Sequence, residues 1–156
     1  MDTVYLETTV IGFLVSRPST DVIVAGHQQV TRDWWNSERQ RYRLVISPPV
    51  MLEISAGDPT AAAERLDAVK DIEILQETEE ILALGAEYRT GLQLPEKATV
   101  DALHIAFAVV YGVDFLATWN MKHIANVDTI RRLSDYNDAA GRATPMIVTP
   151  DFLLNR

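Results

Sequence analysis

Three carboxylates in this chain stand where an ionised group needs a reason to be. In the run from Val100 to Val110, VDALHIAFAVV, only Asp101 and His104 are strongly polar. A helix of that composition is apolar nearly all round and belongs in an interior, where an ionised carboxylate is costly unless a cation or dense hydrogen bonding compensates. Asp101 therefore either caps the orphan amides of its helix's first turn, meeting the positive end of the dipole, or holds a ligand. Glu53 lies in VMLEIS with apolar neighbours on both sides; its ordinary account is a glutamate on the solvent stripe of an amphipathic helix. Glu7 follows the apolar VYL and precedes a helix starting near Thr9, where the dipole again favours negative charge. Gathered into one crevice, the three would repel one another severely and call for a counter-ion. Oxygen ligands without cysteine or paired histidine spacing select hard cations, so Mg2+ or Mn2+ is expected rather than zinc.

What would gather them is the order of the elements. Five short runs rich in valine, isoleucine and leucine read as strands: Val4 to Leu6, Leu44 to Ile46, Ile72 to Leu75, Phe115 to Ala117 and Met146 to Val148. Helical pattern separates each from the next. Asp21 to Arg43 is long and amphipathic; Ser47 with Pro48 and Pro49 reads as an N-cap and first turn of a helix stopping at Gly57. Asp58 and Pro59 start another through Val69, Glu79 to Thr90 forms a third up to Gly91, and Val100 to Tyr111 a fourth. The stretches Ser16 to Thr20, Gly91 to Pro95 and Asn137 to Pro145 read as loops. Alternation of this kind predicts a three-layer α/β/α sandwich with a mostly parallel sheet of about five strands. In such a sheet ligands bind beyond the carboxyl ends of the strands. The residues that follow strands there are Glu7, Thr8 and Thr9, then Ser47 with the helix bearing Glu53, then Thr118, Trp119 and Asn120; Asp2 and Asp114 precede strands and fall at the opposite edge.

Composition narrows the possibilities. With 156 residues, 47% of them apolar, residues 1–156 are expected to form one domain with a continuous core. The absence of cysteine excludes disulfides and thiolate-held metals. The start, MDTVYLETT, carries neither the basic stretch nor the apolar run of a secretion signal, and the apolar stretch from Ala102 to Leu116 is broken by His104, Gly112 and Asp114; a soluble, cytoplasmic protein with no membrane partner is expected. The net charge of -8 argues against holding nucleic acid by overall electrostatics. An acidic cluster that binds divalent cations would account for part of that imbalance.

The same residues carry a family resemblance. VYLETTVIG resembles the first strand of a PIN domain, which ends in an acid followed by Ser or Thr; SPPVMLEIS resembles the helix that bears the second acid. KATVDALHIAFAVVYGVDFLATWN is similar to the family's most diagnostic stretch, an acid opening a buried helix and then a strand ending in Thr, any residue, and an acid or amide. The resemblance runs from Val4 to about Ile124, and the chain is similar to the VapC-type toxins of toxin-antitoxin pairs. It implies a Mg2+-dependent endoribonuclease that hydrolyses RNA, a small antitoxin as partner, and a homodimer. Carried over residue by residue, it implies that Glu7, Glu53 and Asp101 hold metal, that Asn120 takes the place of a fourth acid, and that Thr118 or Thr8 orients water or ligands. Glu7 stands where aspartate is usual. Asn120 offers a carbonyl oxygen but no charge, which weakens a second metal more than it touches the fold.

Other residues have quieter readings. His104 is read as a core histidine, with an outer donor to the crevice as the alternative. His27 and His123 lack a partner at ligand spacing. Trp119 either stacks on a base or packs the strand end, and Arg39, Arg41 and Arg43 read as cations at a helix C-terminus. Asn120 leaves room for a degenerate domain of the same fold that only binds a partner. A receiver domain lacks its aspartate and lysine here, and no glycine-rich phosphate loop is present.

Overall fold

The computed structural model describes residues 1–156. Five strands form one parallel sheet: β1 (Thr3–Leu6), β2 (Arg43–Ile46), β3 (Glu73–Ile74), β4 (Phe115–Ala117) and β5 (Met146–Val148), in spatial order β3-β2-β1-β4-β5. Seven α-helices accompany them: α1 (Thr8–Val15), α2 (Val22–Ser37), α3 (Pro48–Ile54), α4 (Pro59–Ala68), α5 (Glu79–Gly91), α6 (Thr99–Val110) and α7 (Val127–Ala140). Helix α1 packs with α2 and α4, and α5 packs with α6 and α7, in the expected three-layer α/β/α arrangement. No helix is long and apolar enough to cross a membrane.

The chain winds outward from β1 to β3, then returns to the other side of β1 for β4 and β5. Strand order therefore reverses between β1 and β4, whose register pairs Tyr5 with Leu116 and Leu6 with Ala117. A reversal opens a crevice beyond the carboxyl ends, because the following connections leave toward opposite faces. Glu7 and Thr118 are the residues that follow these two strands.

Local chemistry explains the helix starts. Asp21 accepts from the amides of Ile23 and Val24, Ser47 from Val50, Asp58 from Ala61, Thr78 from Ile81 and Asn126 from Thr129, each satisfying a donor with no intrahelical partner. Helix α6 buries Ala102, His104, Ile105, Ala106, Phe107 and Ala108. Its long contact with α5 relies on Gly85, where a Cβ would stand 3.2 Å from Leu103 Cδ1.

Several boundaries depart from the sequence reading. The amphipathic segment from Asp21 ends as helix at Ser37; a 3-10 turn spans Arg39–Arg41, and Arg43 already belongs to β2, bonding Glu73 at 2.6 Å. The basic run is thus spent locally, with Arg41 on Glu38 and Arg39 over the Trp35 ring. Helix α3 ends at Ile54, before Gly57. The expected loop from Asn137 is the last turn of α7, which ends at Gly141 in the left-handed region (φ 70°). Asn137 is buried there because its side chain accepts the Tyr88 hydroxyl and donates to Thr144.

Candidate functional site

Glu7 is the N-cap of α1 and is 2% exposed. One oxygen, Oε1, accepts from the Thr9 amide at 3.1 Å, from the Thr9 hydroxyl, and from the Thr118 hydroxyl at 2.7 Å. Three donors saturate that oxygen, while Oε2 receives none. Thr118, fully buried, also accepts from the Asn120 amide at 2.9 Å, so the turn after β4 is fastened to the acid after β1. The dipole account of Glu7 is therefore correct as far as Oε1 goes; Oε2 is left over.

Glu53 repeats the pattern from α3. Its Oε1 accepts from the Thr8 hydroxyl at 2.7 Å and lies 2.6 Å from His104 Nε2, and Oε2 again has no partner in the protein. Burial pushes the Glu53 carboxyl up, but the bonds from His104 and Thr8 outweigh it and hold the group below its ordinary value. It is a carboxylate at neutral pH. Glu53 is exposed, as the solvent-stripe reading has it, but the bonds to Thr8 and His104 fix one of its oxygens in a way that reading does not require.

Glu7, Glu53 and His104 present ligand atoms within 4.8 Å of one another. His104, however, is fully buried and spends both ring nitrogens, Nε2 on Glu53 and Nδ1 on the Tyr5 hydroxyl at 2.7 Å, so it supports Glu53 instead of joining the two acids as a ligand. The chain's ion pairs give Glu7 no Lys or Arg and give Glu53 only His104. Two close carboxylates, each with one bare oxygen and neither with a strong cation, fit a hard divalent ion.

Asp101 stands outside that group. It does not cap α6, whose N-cap is Ala98 with no side-chain bond; its carboxylate instead meets His123 Nδ1 at 2.8 Å. Asn120 Oδ1 accepts from the His123 amide at 3.0 Å. Asp101 and Asn120 thus share His123; Asp101 lies one helical turn before His104 on α6, and the Asn120 amide bonds Thr118. The four predicted oxygen-bearing side chains form two adjoining clusters, Glu7 with Glu53 and Asp101 with Asn120, bridged by Thr118.

Trp119 is buried, donates its indole N–H to Thr31 at 2.8 Å, and stacks on His27 with ring centroids 4.1 Å apart, so of its two readings packing holds. Sequence reasoning placed Thr9 and Ser47 at the ligand edge without their bonds to Glu7 and Tyr5, and it missed Tyr5 and His123. A tyrosine in a strand carries no signal of where its hydroxyl goes. His123 did have one: it follows Asn120 by three residues, the reach of an amide side chain that closes a turn onto backbone.

Residues 20–128 match the family described as PIN domain, a span that includes Glu53, Asp101, Thr118 and Asn120 and begins after Glu7. No curated protein matches the sequence. Among solved structures the chain is similar to one from Rickettsia felis, described as VapBC2 bound to a DNA fragment from their promoter, with 15% identity and a TM-score of 0.57 over 94% of this chain and 98% of that chain. At that identity the likeness concerns the fold.

Proposed function

The chain belongs to the PIN domain family, and from that premise we propose that it is a divalent-metal-dependent endoribonuclease, the toxin of a toxin-antitoxin pair. The observation that carries the reading is the pair of glutamates after β1 and on α3, with carboxylate oxygens within 4.8 Å, one oxygen of each without a hydrogen-bond partner, and no Lys or Arg in an ion pair with either. Mg2+ or Mn2+ would be held by Glu7 and Glu53, with Asp101 and Asn120 adjoining. When bound, such an ion polarises a phosphate and acidifies water. The chain's own residues do the rest. Thr9 and Thr118 hold Glu7 in place, Thr8 and His104 hold Glu53, and Asp101 takes the proton from the attacking water at its carboxylate, steadied by His123. RNA is the substrate, a small antitoxin the protein partner, and the active form a cytoplasmic homodimer.

The test is cleavage of single-stranded RNA by the purified chain. Expected are cleavage with Mg2+ or Mn2+, none with EDTA, and a loss of about a hundredfold or more in Asp101→Asn, the usual weight of a proton acceptor. An Asp101→Asn protein that cleaves at the wild-type rate would refute its role. A second reading, a partner-binding domain without catalysis, is favoured by Asn120, which brings no charge and spends its carbonyl on the His123 amide. RNA left intact under every metal condition would favour it.

A further inference from the structure

Behind Glu53 runs a line of buried hydrogen bonds that a carboxylate on a helix surface does not need. Ser47 Oγ accepts from the Val50 amide at 3.4 Å, lies 2.6 Å from the Tyr5 hydroxyl, and Tyr5 in turn lies 2.7 Å from His104 Nδ1. Tyr5, Ser47 and His104 are each fully buried. Glu53, ionised, can only accept, so His104 Nε2 carries the proton it donates. A neutral ring then leaves Nδ1 as an acceptor, the Tyr5 hydroxyl must donate to it, and the Ser47 hydroxyl must donate to Tyr5. Reversing the line, or charging the ring, strands the Ser47 proton in the interior without an acceptor. Every link has one direction, and all of them end on Glu53 Oε1.

We propose that Tyr5, Ser47 and His104 are positioning residues that commit Glu53 Oε1 to the protein, leave only Oε2 for a cation, and so make the site prefer Mg2+ and Mn2+ over Ca2+. The inference rests on the reading of Glu53 as a metal ligand. Glu7 is tied in the same way, with Oε1 saturated and Oε2 free. Two carboxylates confined to one oxygen each suit an ion that accepts octahedral geometry with water completing its shell; Ca2+ takes about 6–8 oxygens and favours two-oxygen grips that this arrangement denies.

The experiment is calorimetric titration of the full chain with Mn2+, Mg2+ and Ca2+, with far-UV circular dichroism to confirm folding. Wild type is expected to bind Mn2+ and Mg2+ more tightly than Ca2+. Tyr5→Phe, which removes one oxygen and no carbon, is expected to lose about tenfold in Mn2+ affinity and to narrow the preference over Ca2+; His104→Leu loses about tenfold to a hundredfold, the usual range for a residue that orients a ligand. His104→Gln, able to donate from nearly the Nε2 position, retains most of the affinity. Should His104→Leu fail to fold, Tyr5→Phe carries the test. Mn2+ affinity and Ca2+ preference unchanged in Tyr5→Phe would overturn the positioning role alone. A wild-type chain that binds none of the three ions would overturn the metal site, and with it the nuclease reading.

Discussion

Glu7 does two jobs with two oxygens, and a substitution can separate them. Oε1 caps α1 and binds Thr118, whereas Oε2 has no hydrogen-bond partner, and Glu7 and Glu53 present carboxylate oxygens within 4.8 Å of each other. In Glu7→Gln the amide carbonyl can keep the Oε1 bonds while the NH2 group replaces the bare oxygen, which removes a charge repelled by Glu53 and favoured by the helix dipole. These effects oppose, so metal-free stability in urea is expected to stay within about 1 kcal/mol of wild type. The response to metal should differ sharply. At a hundred times its dissociation constant an ion stabilises the fold by about 2.7 kcal/mol, and Glu7→Gln should lose the corresponding rise in melting temperature with Mn2+. An equal rise in both proteins would mean that Glu7 is not a ligand. The acids themselves were legible in the sequence, since a charge inside an apolar run needs an explanation. Of their supports, Thr8, Thr118 and His104 were named from the sequence, but the buried line of Tyr5 and Ser47 was not, because the destination of either hydroxyl depends on how α6 docks over β1.

Among the elements, the strands and the helix starts were legible, because branched apolar runs and capping side chains act within a few residues. Helix α7 was not. Its sequence, VDTIRRLSDYNDAA, is polar, and Asn, Asp and Gly near its end imitate a loop; only the docked α5 shows that Asn137 points inward to take the Tyr88 hydroxyl. That bond has a consequence in pH. Burial pushes Tyr88 up to about 12 from an ordinary 10.0, against the pull of Arg142 and the bond to Asn137. Between those values the folded protein keeps a proton that the unfolded chain releases, so the stabilisation is complete below pH 10 and is lost as pH rises toward 12. Urea unfolding at fixed salt should therefore show the gap between wild type and Tyr88→Phe shrinking over that interval. Tyr5, also raised by burial, is common to both proteins and cancels in the comparison. Curves that stay parallel would contradict the buried placement of Tyr88.

For the molecule as a whole, a net charge of -8 sets how it can hold a polyanion. On the nuclease reading proposed above, the long-range field would repel RNA, and binding would have to draw on local positive charge at the strand reversal. Lys122, His123 and Arg132 line a groove on the Asp101 side, but no Lys or Arg pairs with Glu7, Glu53 or Asp101. A divalent ion is then the largest positive charge available at the site, and RNA binding should depend on it more than on any basic surface. Each neutralised phosphate of a single strand contributes about 0.7 to the slope of log affinity against log salt. One ion and two or three side chains predict a slope magnitude of about 2 to 3 in fluorescence anisotropy with Asp101→Asn, which should bind without cutting, and no measurable binding in EDTA. A steep slope that persists in EDTA would mean that RNA is held by a basic surface away from the two glutamates. The acids would then have to be explained without a substrate between them.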